Sequence, residues 1–340
     1  VLILPKLLIT GANGFIGANI VRAALKKGYE VKAFVRRGSE LMTLEDLPIE
    51  YAYGDLNDIS SLDKAMDDCD YIIHAGAIYL FMPKWFWADP KKIKAIYDTN
   101  VTSTDKLMQS AYNKGIKKVI FTSSESAVGI PKGMIGDESR FASKKELSGH
   151  YKISKYLGER VAQMWNRRGL PTCSVLPTVP IGPYDVKPTP TGRIIRDFMN
   201  NQMPGFVDTR MNIVSVKDVA MAHVLAIENG VGGERYIAGN KNLSFRDFLR
   251  LIADVAHRKA PAFSFPLILA KTFAFIDEFA SMKIKHAESK TPLESVAASE
   301  HYREFNCTKA WNELGMPKTN LRIAIREQIE WFFQNGYLKK

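Results

Sequence analysis

Cysteine is scarce in this chain: three in 340 residues, at Cys69, Cys173 and Cys307. An odd number at wide spacing implies neither a disulfide framework nor a metal-ligand pair, and fits reduced thiols in a cytoplasmic protein. Histidine is nearly as rare, with six, and no ligand-spaced cluster exists, so no metal is expected. His74, on an apolar strand-like run, reads as a satisfied core residue. No apolar run is long enough to span a bilayer. The longest, 263–280, is broken by Pro266, Lys271, Asp277 and Glu278, whereas a span needs roughly 18 uninterrupted residues. The opening VLILPKLLIT contains a proline and a lysine and lacks a small-residue cleavage site, so no signal peptide is expected. Internal repeats and low-complexity tracts are missing. So are dense basic runs: 47 basic against 36 acidic residues give a net charge of +11, but the basic residues are scattered as pairs such as Lys26-Lys27 and Arg36-Arg37. Without a nucleic-acid motif beside them, nucleic acid is not an expected partner. A general attraction for anionic ligands or an anionic membrane surface is the milder reading.

What remains is an ordinary globular composition, 24% charged and 46% hydrophobic, in a chain long enough for a large core and two or three domains. In the first half, short β-like runs alternate with helical stretches. LLIT (7–10), VKAFVR (31–36), IEYAYGD (49–55), YIIHAGA (71–77), KVIFTSS (118–124) and TCSVLPT (172–178) read as strands. Between them lie amphipathic segments, among them Lys152 to Arg167, with Ile153, Leu157, Val161 and Trp165 on one face. This alternation predicts an α/β fold with a doubly wound parallel Rossmann sheet. After residue 178 the texture changes to a Pro/Gly-rich loop and mostly helical patterns. The expected layout is a dinucleotide-binding domain over 1–178, a substrate-domain segment over 179–212, a return to the first domain over 213–240, and a smaller, mostly helical substrate domain over 241–340.

TGANGFIG (10–17) places Gly11, Gly14 and Gly17 between a strand and a helix that starts with Phe15 and Ile16. Gly11 permits a tight turn, Gly14 a close approach of backbone to pyrophosphate, and Gly17 close helix–sheet packing, with the helix N-terminus facing the phosphates. The second strand ends in Arg36-Arg37, and no carboxylate appears before Glu40. A guanidinium suits a 2′-phosphate, so NADP(H) is favoured over NAD(H); the bland alternative is two solvated surface charges.

YKISK (151–155) sets Tyr151 and Lys155 on one helical face. An adjacent ammonium favours the phenolate and brings the phenol toward the working pH range. Ser124, at the end of the preceding strand, can hydrogen-bond the same substrate oxygen, though Ser123 and Ser126 compete for that assignment.

Together with GDL (54–56), HAGA (74–77), NVTST (100–104), FTSSESAVG (121–129) and LPTVPIGP (176–183), these motifs make the chain resemble an extended short-chain dehydrogenase/reductase over residues 7 to about 240. Within that superfamily it resembles the dihydroflavonol 4-reductase and hopanoid-associated sugar epimerase group, whose loop reads like GPYDVKPTPTGRII (182–195). The resemblance implies Tyr151 as general acid/base, Lys155 as the residue that lowers its pKa and holds the nicotinamide ribose, Ser124 as the substrate orienter and Asn100 as support for a proton relay. It places Asp55 and Leu56 beside the adenine, Ala75, Gly76 and Ala77 along the ribose and phosphates, Pro177 and Val179 against the nicotinamide, and Arg36 on the 2′-phosphate. For Asn100 and Asp55, helix capping and turn formation remain open. It further implies a homodimer through helices near 93–114 and 152–166.

For substrate contacts the candidates are Ser126, Trp85, Thr191 and Arg193. The aromatic stretch FMPKWFW (81–87) reads as a substrate cover, a domain-packing element or a membrane-interface contact, and 263–284 as a lid, a core helix or an interfacial helix. The expected activity is NADP(H)-dependent reduction of a lipophilic ketone, or oxidation of the alcohol, at a small-molecule site. The alternative is a nucleotide-sugar epimerase or dehydratase with retained cofactor. A non-catalytic dinucleotide sensor is a third reading, disfavoured because Tyr151 and Lys155 are both present.

Overall fold

The computed structural model describes residues 4–80, 89–203, 205–283, 296 and 302–339. Seven parallel strands form the main sheet: β1 (Lys6–Thr10), β2 (Glu30–Val35), β3 (Glu50–Tyr53), β4 (Tyr71–His74), β5 (Lys118–Thr122), β6 (Thr172–Pro177) and β9 (Arg235–Ala238), in the order β3-β2-β1-β4-β5-β6-β9. The order reverses between β1 and β4. This is the switch point at whose carboxyl end an open α/β sheet forms its crevice.

Burial explains the sequence texture. Leu7, Leu8, Ile9, Ile72, Ile73, Val119 and Ile120 are all sealed from solvent, because helices cover both faces of the sheet and leave no polar side for alternation. One core packs α1 (Phe15–Lys26) and α7 (Val216–Asn229) against β1, with Ile20, Val21, Val219 and Ala222 at its centre. The opposite core gathers Leu8, Leu62, Leu107, Met108, Phe121 and Trp165 from β1, β5 and the helices α2 (Ile59–Met66), α4 (Ser103–Asn113) and α5 (His150–Arg167), with α3 (Pro90–Tyr97) leading into α4.

A second, three-stranded sheet was not legible in the sequence. In it β8 (Arg210–Ser215) pairs parallel with β7 (Val179–Ile181) and antiparallel with β10 (Lys241–Ser244). Strands of three or four residues are too short to show a period. The return to the main sheet, expected from residue 213, therefore begins only with α7 and β9. A further core of Ile181, Ile195, Phe198, Ile213, Phe248 and Phe332 joins this small sheet to α6 (Pro190–Met199), α8 (Phe245–Ala256) and the C-terminal helix Leu321–Gln334. One more helix, α9 (Leu267–Lys283), follows α8. Among the described residues, no helix is long and apolar enough to cross a membrane.

Candidate active site

A cleft of about 850 Å³ opens at the carboxyl ends of β1, β4, β5 and β6. Its floor is the glycine turn. Gly11 has φ +67°, and a Cβ there would lie 2.7 Å from the backbone of Gly76. A Cβ on Gly17 would sit 2.0 Å from the carbonyl oxygen of Gly11. The turn closes through Gly14 N–H donating to Gly11 O at 3.0 Å. Gly14 is the N-cap of α1 and supplies no capping side chain, so the first N–H groups of the helix are left for a ligand. Gly14, Phe15, Ile16 and Gly17 all line the cleft. A cradle of this kind, which any Cβ would fill, fits the diphosphate of a dinucleotide.

The β4 loop is held against this turn from below. Gly76 N–H donates to Thr10 Oγ1 at 3.2 Å, and Thr10 Oγ1 lies 2.6 Å from His74 Nδ1. His74 Nε2 reaches Thr104 Oγ1 at 3.1 Å. Burial, aided by the charge of Lys155, drives the His74 pKa down to about 3, so the ring is a neutral structural link. Ala75 and Ala77 face the cleft, while Gly76 packs behind them against Leu56.

The candidate reactive groups come from the segment that follows β5 and from α5. Tyr151 lies in the first turn of α5, which begins two residues earlier than the periodicity predicts. Its hydroxyl interacts with Ser124, and its ring meets the Tyr79 ring edge-on, with centroids 4.6 Å apart. Ser124 accepts from Ser126 N–H at 3.2 Å and from Ser126 Oγ at 2.9 Å, which fixes its hydroxyl at the cleft wall. Ser123 is turned away: its hydroxyl donates to Glu159 at 2.6 Å, inside a buried pair between Glu159 and Arg235. Ser124 is thus the serine beside the phenol, and Ser126 stands behind it.

Lys155 Nζ donates to the carbonyl of Thr122 at 2.5 Å and lies 4.9 Å from the centroid of Phe121. Burial brings its pKa down to about 8, opposed by Glu159. The phenol of Tyr151 is held above its ordinary range, first by burial, then by Tyr79 and the charge of Glu125, with Ser124 pulling the other way. The direct phenol–ammonium coupling expected from the i,i+4 spacing is therefore not what dominates here, because the lysine is directed onto the β5 carbonyl.

Asn100 does not line the cleft. Its carboxamide accepts from Ile78 N–H at 2.8 Å and donates to Ile78 O at 3.0 Å and Ser154 Oγ at 2.9 Å, tying the β4 loop to α5. Asp55 forms a turn, accepting from Asn57 N–H at 2.8 Å. It lines a neighbouring groove of about 720 Å³ rather than the main cleft. Arg36 borders both cavities. Pro177, Val179 and Thr191 line the cleft, Arg193 does not, and Trp85 with the rest of 81–87 lies outside the described residues. Sequence reasoning missed Tyr79, Glu125 and Asp185. Asp185 is 1% exposed and accepts from Thr189 N–H and Oγ1 at 3.0 and 2.9 Å. Burial raises its pKa to about 6. Its position after the Gly182-Pro183 turn was the available signal. Among the described residues no group of acidic, histidine and cysteine side chains could hold a metal ion.

Known proteins resemble this chain in sequence and fold. The "Putative dihydroflavonol 4-reductase" of Synechocystis sp. is 37% identical over 97% of this chain and 95% of its own length. Sterol demethylase protein B of Methylococcus capsulatus is 30% identical over 97% and 99%. The crystal structure of gox2253 superposes with a TM-score of 0.83 at 35% identity, covering 98% of this chain and 99% of that one. The preference for NADP(H) is corrected by solved structures of the same fold that hold a dinucleotide. MoeE5 with UDP-glucuronic acid (TM-score 0.74, 20% identity, 97% and 99% covered) and the UDP-glucose 4-epimerase of Thermus thermophilus (0.72, 19%, 96% and 99%) both contain NAD. The physical reason lies in the arginines. Arg36 and Arg37 are exposed, and the Arg37 guanidinium sits 5.6 Å from the centroid of Tyr53. A guanidinium can serve by stacking on a flat ring and needs no 2′-phosphate. The profile of the NAD dependent epimerase/dehydratase family matches residues 7–239, and with the full-length relatives this establishes that the chain belongs to that family, as an extended short-chain dehydrogenase/reductase enzyme acting on a small molecule.

Proposed function

We propose that the protein is an epimerase or dehydratase that works on an anionic, sugar-like small molecule with a retained NAD. The observation that carries this reading is the wall opposite the nicotinamide end of the cleft. Its described surface carries Lys152, Lys187, Thr189 and Thr191 together with the carboxylate of Asp185, and α6 begins there at Pro190. The two ammonium groups attract a phosphate-bearing ligand, while the start of α6 is already capped by Thr189, whose N–H and hydroxyl donate to Asp185. NAD, when bound, supplies a reversible acceptor for hydride from the substrate carbinol.

The chain's own groups manage the proton and the position. Tyr151 Oη takes the proton of the substrate hydroxyl as its carbon is oxidised and returns it on reduction. Ser124 orients that oxygen and stabilises its developing charge. Lys155 keeps a cation under the site, anchored to Thr122, where it would also meet the nicotinamide ribose. Gly11, Gly14 and Gly17 would hold the diphosphate, with Ala75 and Ala77 beside the ribose and Pro177 and Val179 against the nicotinamide. Asn100 acts through position, keeping Ile78 against α5.

A panel of nucleoside-diphosphate sugars, incubated with NAD-loaded enzyme and followed by NMR for product isomers, tests this. Isomerised or dehydrated sugar with no net change in NADH absorbance is expected. Stoichiometric NADH consumption on a ketone, with every sugar untouched, overturns it. That second outcome is the reductase reading, favoured by the near-complete match to the Synechocystis relative. We further propose a homodimer through α4 and α5, where Tyr112 and Leu157 are exposed. Sedimentation of a concentration-independent monomer would refute it.

A further inference from the structure

Helix α9 is inside out. At 100° per residue, Ile268, Leu269, Phe273, Phe275, Ile276 and Phe279 share an arc of about 160°. They are 45–73% exposed. The opposite arc, which faces the protein, carries the polar groups: Glu278 and Ser281 are buried beside Ala274, and Lys271 and Asp277 are half-buried. An ordinary surface helix has the reverse polarity. The chain leading into it adds to the same surface. Phe263 and Phe265 are 73% and 44% exposed, although their backbones are fixed by hydrogen bonds to Phe206 of 3.2 and 2.7 Å. So large a run of exposed apolar side chains on a well-formed helix marks an interaction surface.

Charge indicates what covers it. From Val255 to Ile276 there is no aspartate or glutamate, and Arg258 and Lys259 supply two exposed cations, Lys271 lying on the inward arc. Arg258 and Lys259 are exposed just before the apolar run, and the whole chain carries +11. Two such surfaces repel one another, which disfavours a second copy. Apolar side chains beside exposed cations are complementary to acyl chains under anionic headgroups. We propose that α9, with Phe263 and Phe265, docks the protein on an anionic lipid bilayer, its axis in the plane of the interface. The proposal is independent of the reaction catalysed.

The test is co-sedimentation with vesicles of phosphatidylcholine alone and of phosphatidylcholine with about 30% phosphatidylglycerol. The expected result is binding to the anionic vesicles at least about ten-fold tighter than to the neutral ones. The triple variant Ile268→Ser/Phe273→Ser/Ile276→Ser should lose at least about ten-fold of that binding. Lys259→Glu should weaken it about five-fold, on anionic vesicles only. Circular dichroism and melting check that the triple variant folds; if it does not, Lys259→Glu and the single change Ile268→Ser decide. Tyr151→Phe should sediment as wild type, which separates docking from catalysis. The proposal is overturned if the wild-type protein stays in the supernatant with both vesicles, or if the variants sediment unchanged. It is also overturned if the wild type is a dimer that the triple variant converts to monomer while neither binds lipid.

Discussion

Lys155 places its ammonium 2.5 Å from the carbonyl oxygen of Thr122, at the end of β5. Its charge is desolvated there, and its pKa falls from 10.5 to about 8. Between those two values the unfolded chain holds more protons than the folded one, so stability rises with pH across the window. At roughly 1.4 kcal/mol per pH unit the rise is up to about 3 kcal/mol. Lys155→Met should abolish this rise, so that the variant loses up to about 3 kcal/mol relative to the wild type from pH 8 to 10.5. Urea melts at both pH values measure it; parallel curves would reject the buried ammonium.

Tyr151→Phe should cut turnover by about 10²–10⁴, the usual contribution of a positioned acid/base. Dinucleotide affinity should change little, since the glycine turn is untouched. Calorimetric binding beside a turnover assay separates the two, and full activity in the variant would remove Tyr151 from the mechanism.

Glu125 lies in the cleft wall next to Ser124 and adds its charge to the forces holding the Tyr151 phenol high. Arg303, from the far end of the chain, pairs with its carboxylate and donates to its main-chain oxygen at 2.9 Å. Arg303→Gln exposes the phenol to an uncompensated negative charge. The ascending limb of the pH–rate profile, where Tyr151 loses its proton and becomes able to accept the substrate's, should then move upward by about half a unit or more. Glu125→Gln should move it downward, and the double variant should return close to wild type. A drop in rate with no movement of the limb would reduce Arg303 to a structural strut.

Gly17→Ala puts a methyl group 2.0 Å from the Gly11 carbonyl. Backbone cannot yield cheaply there, so a loss of about 1–3 kcal/mol is expected, together with a dinucleotide affinity reduced by at least about ten-fold. Thermal melting and NAD titration check both; a variant with wild-type melting and affinity would show that the turn is looser than described.

How much of this was legible in the residues depended on how local the cause was. The strands at the heart of the sheet were readable because LLIT, YIIH and KVIFT are apolar without interruption, as burial on both faces demands. The placing of the glycine turn, Tyr151 and Ser124 around one cleft was readable because each rests on a short motif. The three-stranded sheet was not, since VPI and KNLS are too short for a pattern and their pairing with β8 joins residues 28 to 34 positions apart. Asn100 was misjudged for a related reason. Its partners Ile78 and Ser154 are distant in sequence, so only the folded chain shows that its carboxamide is engaged on both sides. The arginine pair after β2 was overread: charge alone does not distinguish a phosphate from a flat base.

The neighbouring serines 123 and 124 carry one last implication. One is committed to the interior through Glu159 and the other to the cleft through Tyr151. Adjacent positions on an extended strand diverge by construction, so a slip of one residue in how β5 aligns with its neighbours would exchange their addresses. In the proposed mechanism the chemistry is thus keyed to strand alignment, and an insertion or deletion anywhere in KVIFT would be expected to disarm the site while every side chain needed for it was still encoded.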